Sequence, residues 1–319
     1  MPGNSSVQRC VILRRNPLSI GLFAQLDSFQ VVIPTQQVLH LRGSILRRVV
    51  QDAGRNKHWQ VVSELAAQNE IQSGLLCGGI KIFGAMMASL RRDGVPADIP
   101  WLMTEYGYSV FAGRPEVDIE GALFTADTVG AFLTLGGAKP YLYGYEPNYL
   151  QDELKCSWGN LMILQLSPKS NQLNRLSAYY ATQLLTKEWM QPVSEQHEIF
   201  PVTINETKNG AHGVTRPTVT AYAVRRPDKQ WALLAINKNP KRAAQLKVQF
   251  NFPGAKQPLS FVGQVEVIQF SRQQYAWHDD GPNGHPIRSL PPAQFTREAS
   301  ASYELPPYSL TVLRGKVAE

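Results

Sequence analysis

Cysteine is scarce in this 319-residue chain, which holds only Cys10, Cys77 and Cys156. An odd and scattered count excludes a disulfide framework, and no cysteine–histidine spacing fits a zinc site. Long apolar runs are missing too. The longest, residues 74–90, is interrupted by Lys81 and carries four glycines, short of the roughly 20 apolar residues of a membrane span; it reads as a buried helix. The first fifteen residues offer only Val11, Ile12 and Leu13 as an apolar stretch, so no secretory signal is expected. There is no glycine-rich phosphate loop and no Gly-x-Ser-x-Gly elbow. Charge is sparse at 18% of residues, although 32 basic against 25 acidic side chains leave +7 and a pI near 9.3. The basic pairs (Arg14 with Arg15, Arg47 with Arg48, Arg91 with Arg92, Arg225 with Arg226) stand apart, unlike the clustered footprint of a nucleic-acid binder. A mean hydropathy of -0.23 argues against a polytopic membrane protein. What is present is a 43% apolar content, sufficient for a sizeable core, in a length that favours two domains.

Three zones differ in texture. In residues 1–85, Val31, Val32 and Ile33 read as a strand ended by Pro34, and the apolar spacing over 44–68 fits one or two amphipathic helices broken at Gly54. Residues 86–192 alternate helix and strand. A helix is expected over 82–92, terminated at Gly94. The near-continuous apolar run 101–104 predicts a strand covered on both faces. A helix over 118–135, a strand over 138–145 and a long helix over 174–190 follow. Such alternation with short connections marks a parallel α/β architecture. Residues 197–316 break into short alternating runs (218–224, 231–237, 246–252, 262–270, 309–313) between Pro, Gly, Asn and Asp clusters, as in an antiparallel β-sandwich.

Glu105 stands where an apolar strand gives way to a glycine loop. Parallel α/β barrels gather their chemistry at the carboxyl ends of strands, which makes Glu105 the leading catalytic candidate. Eleven of the chain's thirty aromatic residues fall within 101–158. Their apolar faces suit sugar rings, and their phenols suit sugar hydroxyls. Phe124 and Phe132 have helical spacing and are assigned to the core. Tyr141, Tyr143 and Tyr145 alternate along one expected strand and so share a side. Asp118 and Glu120 open a helix, where negative charge complements the dipole, and Asp152 and Glu153 read as loop residues. His278, Asp279, Asp280 and His285 are metal-ligand types, but the surrounding Gly, Pro and Asn favour a hairpin loop. Neither a metal nor another cofactor is expected.

Thr104, Glu105, Tyr106 and Gly107 at a strand end resemble the nucleophile strand of clan A glycoside hydrolases, retaining enzymes built on a (β/α)8 barrel. Tyr143, Gly144, Tyr145, Glu146 and Pro147 resemble the eighth strand and its loop. Residues 305–313 are similar to the closing strand of the β-sandwich appended to that barrel in arabinofuranosidase-like and xylosidase-like families. The match covers about 86–316. It implies an α/β plus all-β chain: 1–85 poorly defined and outside the match, 86–192 the carboxyl-terminal portion of a (β/α)8 TIM-type barrel, and 197–316 a C-terminal antiparallel β-sandwich domain. It further implies a glycosidase whose Glu105 attacks the sugar, with Tyr106, Tyr108, Tyr143, Tyr145 and Trp158 binding carbohydrate and Glu146 serving as acid/base or substrate contact. In the family the acid/base glutamate follows an asparagine at the end of the fourth strand. Asn69 followed by Glu70 has the same letters, but the 35 residues from Glu70 to Glu105 cannot hold two further units at roughly 30 residues per βαβ. A truncated chain lacking that strand is therefore expected, with a non-catalytic carbohydrate-binding or scaffold protein as the rival. Carbohydrate is the expected partner, with no nucleic acid and no membrane; intact relatives are commonly secreted or periplasmic.

Overall fold

The computed structural model describes residues 7–13, 19–20, 79–107, 114–153, 156–158, 163–206 and 218–318. Strands β1 (Val7–Leu13) and β2 (Ser19–Ile20) come first. Helix α1 (Gly79–Arg92), strand β3 (Trp101–Tyr106), helices α2 (Arg114–Val117) and α3 (Ile119–Thr134) and strand β4 (Gly137–Leu142) follow. Two hairpins come next, β5 (Gln151–Glu153) with β6 (Cys156–Trp158), then β7 (Leu164–Leu166) with β8 (Leu173–Arg175). Helix α4 (Ser177–Gln183) runs on as a π-helix over Leu184–Trp189. The remainder is β9 (His197–Phe200), β10 (Val202–Glu206), β11 (Val219–Arg225), β12 (Trp231–Asn237), β13 (Ala244–Asn251), β14 (Phe261–Ser271), β15 (Tyr275–His278), β16 (His285–Ser289), β17 (Ala293–Glu298), β18 (Tyr303–Leu305) and β19 (Ser309–Val317).

Seven strands form the larger sheet, in the order β17-β14-β19-β12-β11-β9-β2, with every neighbouring pair antiparallel. The second sheet, β10-β1-β13-β18, departs from the expected all-antiparallel pattern. In it β1 runs parallel to β13, with Val7 opposite Gln245 and Leu13 opposite Asn251. The reason is topological, because β1 arrives from the amino-terminal zone and not from an adjacent hairpin. Burial alternates along β13, with Ala244, Leu246, Val248 and Phe250 inside, the period-two signature of a sheet with one covered face. These four meet Ala221, Ala223, Leu233, Ala235, Val265 and Leu313 of the larger sheet in one apolar core. Trp231 is its hub, with ring centroids 4.7 Å from Phe200, 5.1 Å from Phe250 and 5.7 Å from Phe252.

The opposite face of the larger sheet presents Tyr222, Val224, Leu234, Ile236, Phe270 and Val312 to the helices. Strand β12 is buried along its whole length, as two-sided cover requires. Helix α3 is apolar nearly all round and buried accordingly; Phe132 lies in its core and Phe124 packs against it. The helix begins at Asp118, an N-cap with an extended backbone whose carboxylate accepts the N–H of the next residue, Ile119, at 2.8 Å. Its interior acid, Asp127, is fully buried and fastens the helix to the sheet. Lys238 Nζ lies 2.9 Å from it, and the hydroxyls of Tyr222 (2.7 Å) and Thr220 donate to it as well.

Strands β3 and β4 make a two-stranded parallel sheet, and among the described residues there is no closed barrel. Two-sided burial does not hold for β3. Trp101 and Met103 pack on the core while Leu102 is 48% exposed, because the described residues place no layer over the second face. The strand expected over 138–145 stops at Leu142. Gly144, at φ 76°, turns the chain in the left-handed region that glycine adopts without cost, so Tyr143 and Tyr145 lie beyond the strand and do not alternate along it with Tyr141. The helix expected over 174–190 gives up its start to β8 and its second half to π hydrogen bonding. Asp152 and Glu153 pair with Ser157 and Cys156 in a hairpin, not in an open loop. The strand at 31–33, the helices over 44–68 and Glu70 lie outside the described residues.

Candidate functional site

The register of β3 against β4 slips twice, between Trp101 and Leu102 and again between Met103 and Tyr106. Up to the second slip, side chains alternate, with Trp101 and Met103 toward the core and Leu102 and Thr104 outward. After it Tyr106 packs on the core, and Glu105, which simple alternation would bury, is exposed. One irregularity thus aims a carboxylate away from the covered face, a common use of a bulge beside a site.

Because β3 and β4 are parallel, the loops that follow them leave from one end. They are joined there, with the Tyr143 N–H donating to the Tyr106 carbonyl at 3.0 Å. Glu105, Tyr106, Tyr143, Tyr145 and Glu146 gather at this end. Tyr143 is 44% and Tyr145 75% exposed, and the carboxylates of Glu105 and Glu146 are both open to solvent. Burial pushes the Tyr106 phenol above its ordinary range, so that it stays a neutral hydrogen-bond donor. The second loop is stitched down by backbone bonds from Ile163 to Gly144 (3.1 Å), from Asn148 to Leu164 (3.3 Å) and from Leu166 to Asn148 (2.8 Å). Trp158 ends β6 opposite Gln151, within the same β4-to-β7 connection. Tyr108 lies outside the described residues. Trp101 is occupied elsewhere, its ring covered by the Arg91 guanidinium at 4.6 Å.

Asp118 and Glu120 do more than complement a helix dipole. Arg272, from the turn after β14, reaches Asp118 at 3.2 Å and Glu120 at 2.8 Å, while Arg114 holds Asp118 at 3.1 Å. Burial, with the neighbouring Asp118 charge adding to it, pushes the Glu120 carboxyl up to about 7; Arg272 opposes the rise. The Tyr275 hydroxyl donates to the Val117 carbonyl at 2.7 Å, and the Ser177 hydroxyl to that of Asp118. This cluster is a fastening between the parallel strands' helices and the larger sheet. Its only local trace in the sequence is a pair of acids ahead of an apolar helix, since Arg272 comes 152 residues after Glu120. Among the described residues no group of three His, Cys, Asp or Glu can hold a metal ion. His278 and His285 face each other across the β15–β16 hairpin at 5.4 Å.

No protein-family model and no curated protein matches the sequence. Solved structures do match, clan A glycoside hydrolases among them. A GH51 arabinofuranosidase from Xanthomonas axonopodis pv. citri shares the fold with a TM-score of 0.51 at 12% identity, over 75% of this chain and 46% of its own. The GH51 α-L-arabinofuranosidase of Thermotoga petrophila RKU-1 gives a TM-score of 0.45 at 13% identity, over 76% of this chain and 48% of its own. The catalytic domain of GH30 xylanase C from Talaromyces cellulolyticus gives 0.39 at 10% identity, over 70% and 42% respectively. The chain spans just under half the length of these structures.

Proposed function

We propose that the chain carries the carboxyl-terminal part of a retaining glycoside hydrolase. In this reading residues 86–192 supply the last units of a (β/α)8 barrel and residues 197–316 its β-sandwich. One observation carries it: Glu105 is turned out to solvent at the carboxyl end of a parallel strand, the position at which such barrels hold their reactive groups. The fold shared with the Xanthomonas arabinofuranosidase supports the assignment, and pentofuranosides are accordingly the first substrate class to test.

In the proposed reaction a Glu105 carboxylate oxygen bonds to the anomeric carbon as the glycosidic C–O bond breaks, and a second carboxyl gives its proton to the departing oxygen. Water, deprotonated by that second carboxylate, then attacks the anomeric carbon and frees Glu105. Such pairs stand about 5–5.5 Å apart. Glu146, exposed in the loop joined to Tyr106 through Tyr143, is the carboxyl proposed for substrate contact or for this second role. The asparagine–glutamate strand of the wider family is proposed to be missing. Tyr106, Tyr143 and Tyr145 are the proposed sugar contacts, and the family resemblance adds Tyr108 and Trp158 to them.

The test is covalent trapping. A fluorinated aryl arabinofuranoside that captures the intermediate should add one sugar to the protein, on Glu105, and nothing to Glu105→Gln. Glu146→Ala should slow an aryl glycoside with a poor leaving group and spare one with a good leaving group. No adduct and no turnover, with sugar binding kept in Glu105→Gln, would replace this reading by the non-catalytic carbohydrate-binding one.

A further inference from the structure

Past the candidate site, the β7–β8 hairpin meets the β15–β16 hairpin, and the two border a partly open hollow of about 280 Å³. Ser167, Lys169, Gln172 and Asn174 line it from one side, Asn283 and His285 from the other. We propose that this hollow is a second saccharide site, one that holds a neutral sugar ring of the substrate other than the ring cleaved at Glu105. The proposal rests on the glycosidase reading for its ligand class, though not for its geometry.

The hollow is built before any ligand arrives. Gln165 is completely buried and uses both ends of its amide, with Nε2 donating to the Gly284 carbonyl at 2.6 Å and Oε1 accepting from Asn174 at 3.3 Å. One side chain therefore sets the spacing of both walls. Ser289 adds a second tie, donating through its hydroxyl to the Arg175 carbonyl at 3.0 Å. Gly284 cannot carry a side chain, since a Cβ there would lie 2.8 Å from the Trp277 ring, so the turn that bears Asn283 and His285 sits hard against the indole.

The volume lies at the lower edge of small-molecule sites, about 300–1,000 Å³, which suits one ring and not a chain of rings. The lining alternates amides, a hydroxyl and an imidazole, groups that offer donors and acceptors together as vicinal sugar hydroxyls demand. Pro168 and Pro286 supply apolar CH surface. An anion is a poorer fit, because Lys169 faces Asp280 across the rim at 4.0 Å and is itself 73% exposed. The hairpin that carries one wall is also tied to the loop that bears Glu146. Asn148, two residues past Glu146, forms a parallel bridge with Gln165, and the Tyr149 hydroxyl lies 3.1 Å from Asn171 Oδ1 at the tip of the same hairpin.

The experiment is an amide NMR titration of the full chain with L-arabinose, D-xylose and D-glucose, and separately with inorganic phosphate. At least one sugar should cause saturable shifts confined to residues 167–174 and 283–286. The Gln172→Ala, Asn283→Ala double variant should weaken that binding at least tenfold, and Gln165→Leu should do so while the rest of the spectrum holds. Shifts at these residues should persist in Glu105→Gln, which separates this site from the catalytic proposal. The inference is overturned if no sugar moves these amides, if the double variant binds as well as the native chain, or if phosphate alone shifts them.

Discussion

Replacing Glu120 by glutamine removes a charge and little else. In the folded chain burial and the Asp118 carboxylate raise this carboxyl from 4.5 to about 7, even with Arg272 at 2.8 Å pulling the other way. Its Oε2 is buried without a hydrogen bond among the described residues, an oxygen on which a proton sits more easily than a charge. Each pKa unit corresponds to about 1.4 kcal/mol, so ionising Glu120 costs the native state up to about 3 kcal/mol. The direction follows from linkage. Between pH 4.5 and 7 the folded chain keeps the proton that the unfolded chain has lost, so this group's contribution to stability falls as pH rises through that window and is level above it. Glutamine imitates the protonated form at every pH. Urea unfolding of Glu120→Gln should therefore match the native chain near pH 4.5 and exceed it by up to about 3 kcal/mol at pH 8. Taking the difference between the two proteins at each pH cancels every other titration. A variant less stable at pH 8, or a difference that does not change with pH, would refute the argument.

Asp127→Ala should cost about 3–5 kcal/mol in the same assay, because it removes the carboxylate that pairs with the buried Lys238 ammonium; adding Lys238→Met should recover most of that loss. Gly130→Ala would place a Cβ 2.3 Å from the Tyr222 ring and should lower stability by about 1–3 kcal/mol, visible in thermal unfolding. His197 accepts the Gln191 N–H at 2.8 Å, and burial lowers its pKa below 6.5. The stability it contributes is therefore present above pH 6.5 and lost as pH falls, and His197→Gln should flatten the acid limb of the stability curve. Glu105→Gln should leave the unfolding midpoint within about 0.5 kcal/mol of native, as an exposed site allows, while removing the covalent adduct. A large stability change there would mean that the carboxylate is structural.

Four strands of the larger sheet, β11, β12, β14 and β19, were legible because their cue is local, whereas β2, β9 and β17 were not read. Residues 231–237 and 309–313 carry the apolar runs and turn residues that fix β12 and the start of β19 wherever the chain goes next. Helix α3 was legible for the same reason, down to its cap at Asp118. What escaped the sequence was pairing at a distance. Nothing near residues 7–13 announces that they lie parallel to 245–251, and nothing near Glu120 announces Arg272. The exposure of Glu105 depends on a register slip that only the partner strand reveals, and the end of β4 turned on whether Gly144 would take a positive φ. Gln165 was invisible as an ordinary polar residue in a short strand, although Asp127, a lone acid inside an apolar helix, was a readable sign of a buried partner.

Strand β1 occupies an inner slot of its sheet, flanked by β10 and β13, yet a ribosome makes it before either neighbour exists. That ribbon has neither of these partners while the whole helical zone emerges, and the sheet can close only once residue 305 is available. The order of synthesis and the order of assembly therefore conflict. A protein cut between β1 and β10 would yield one piece with a vacant groove and another with the ribbon that fills it, each dependent on the other for a finished seam.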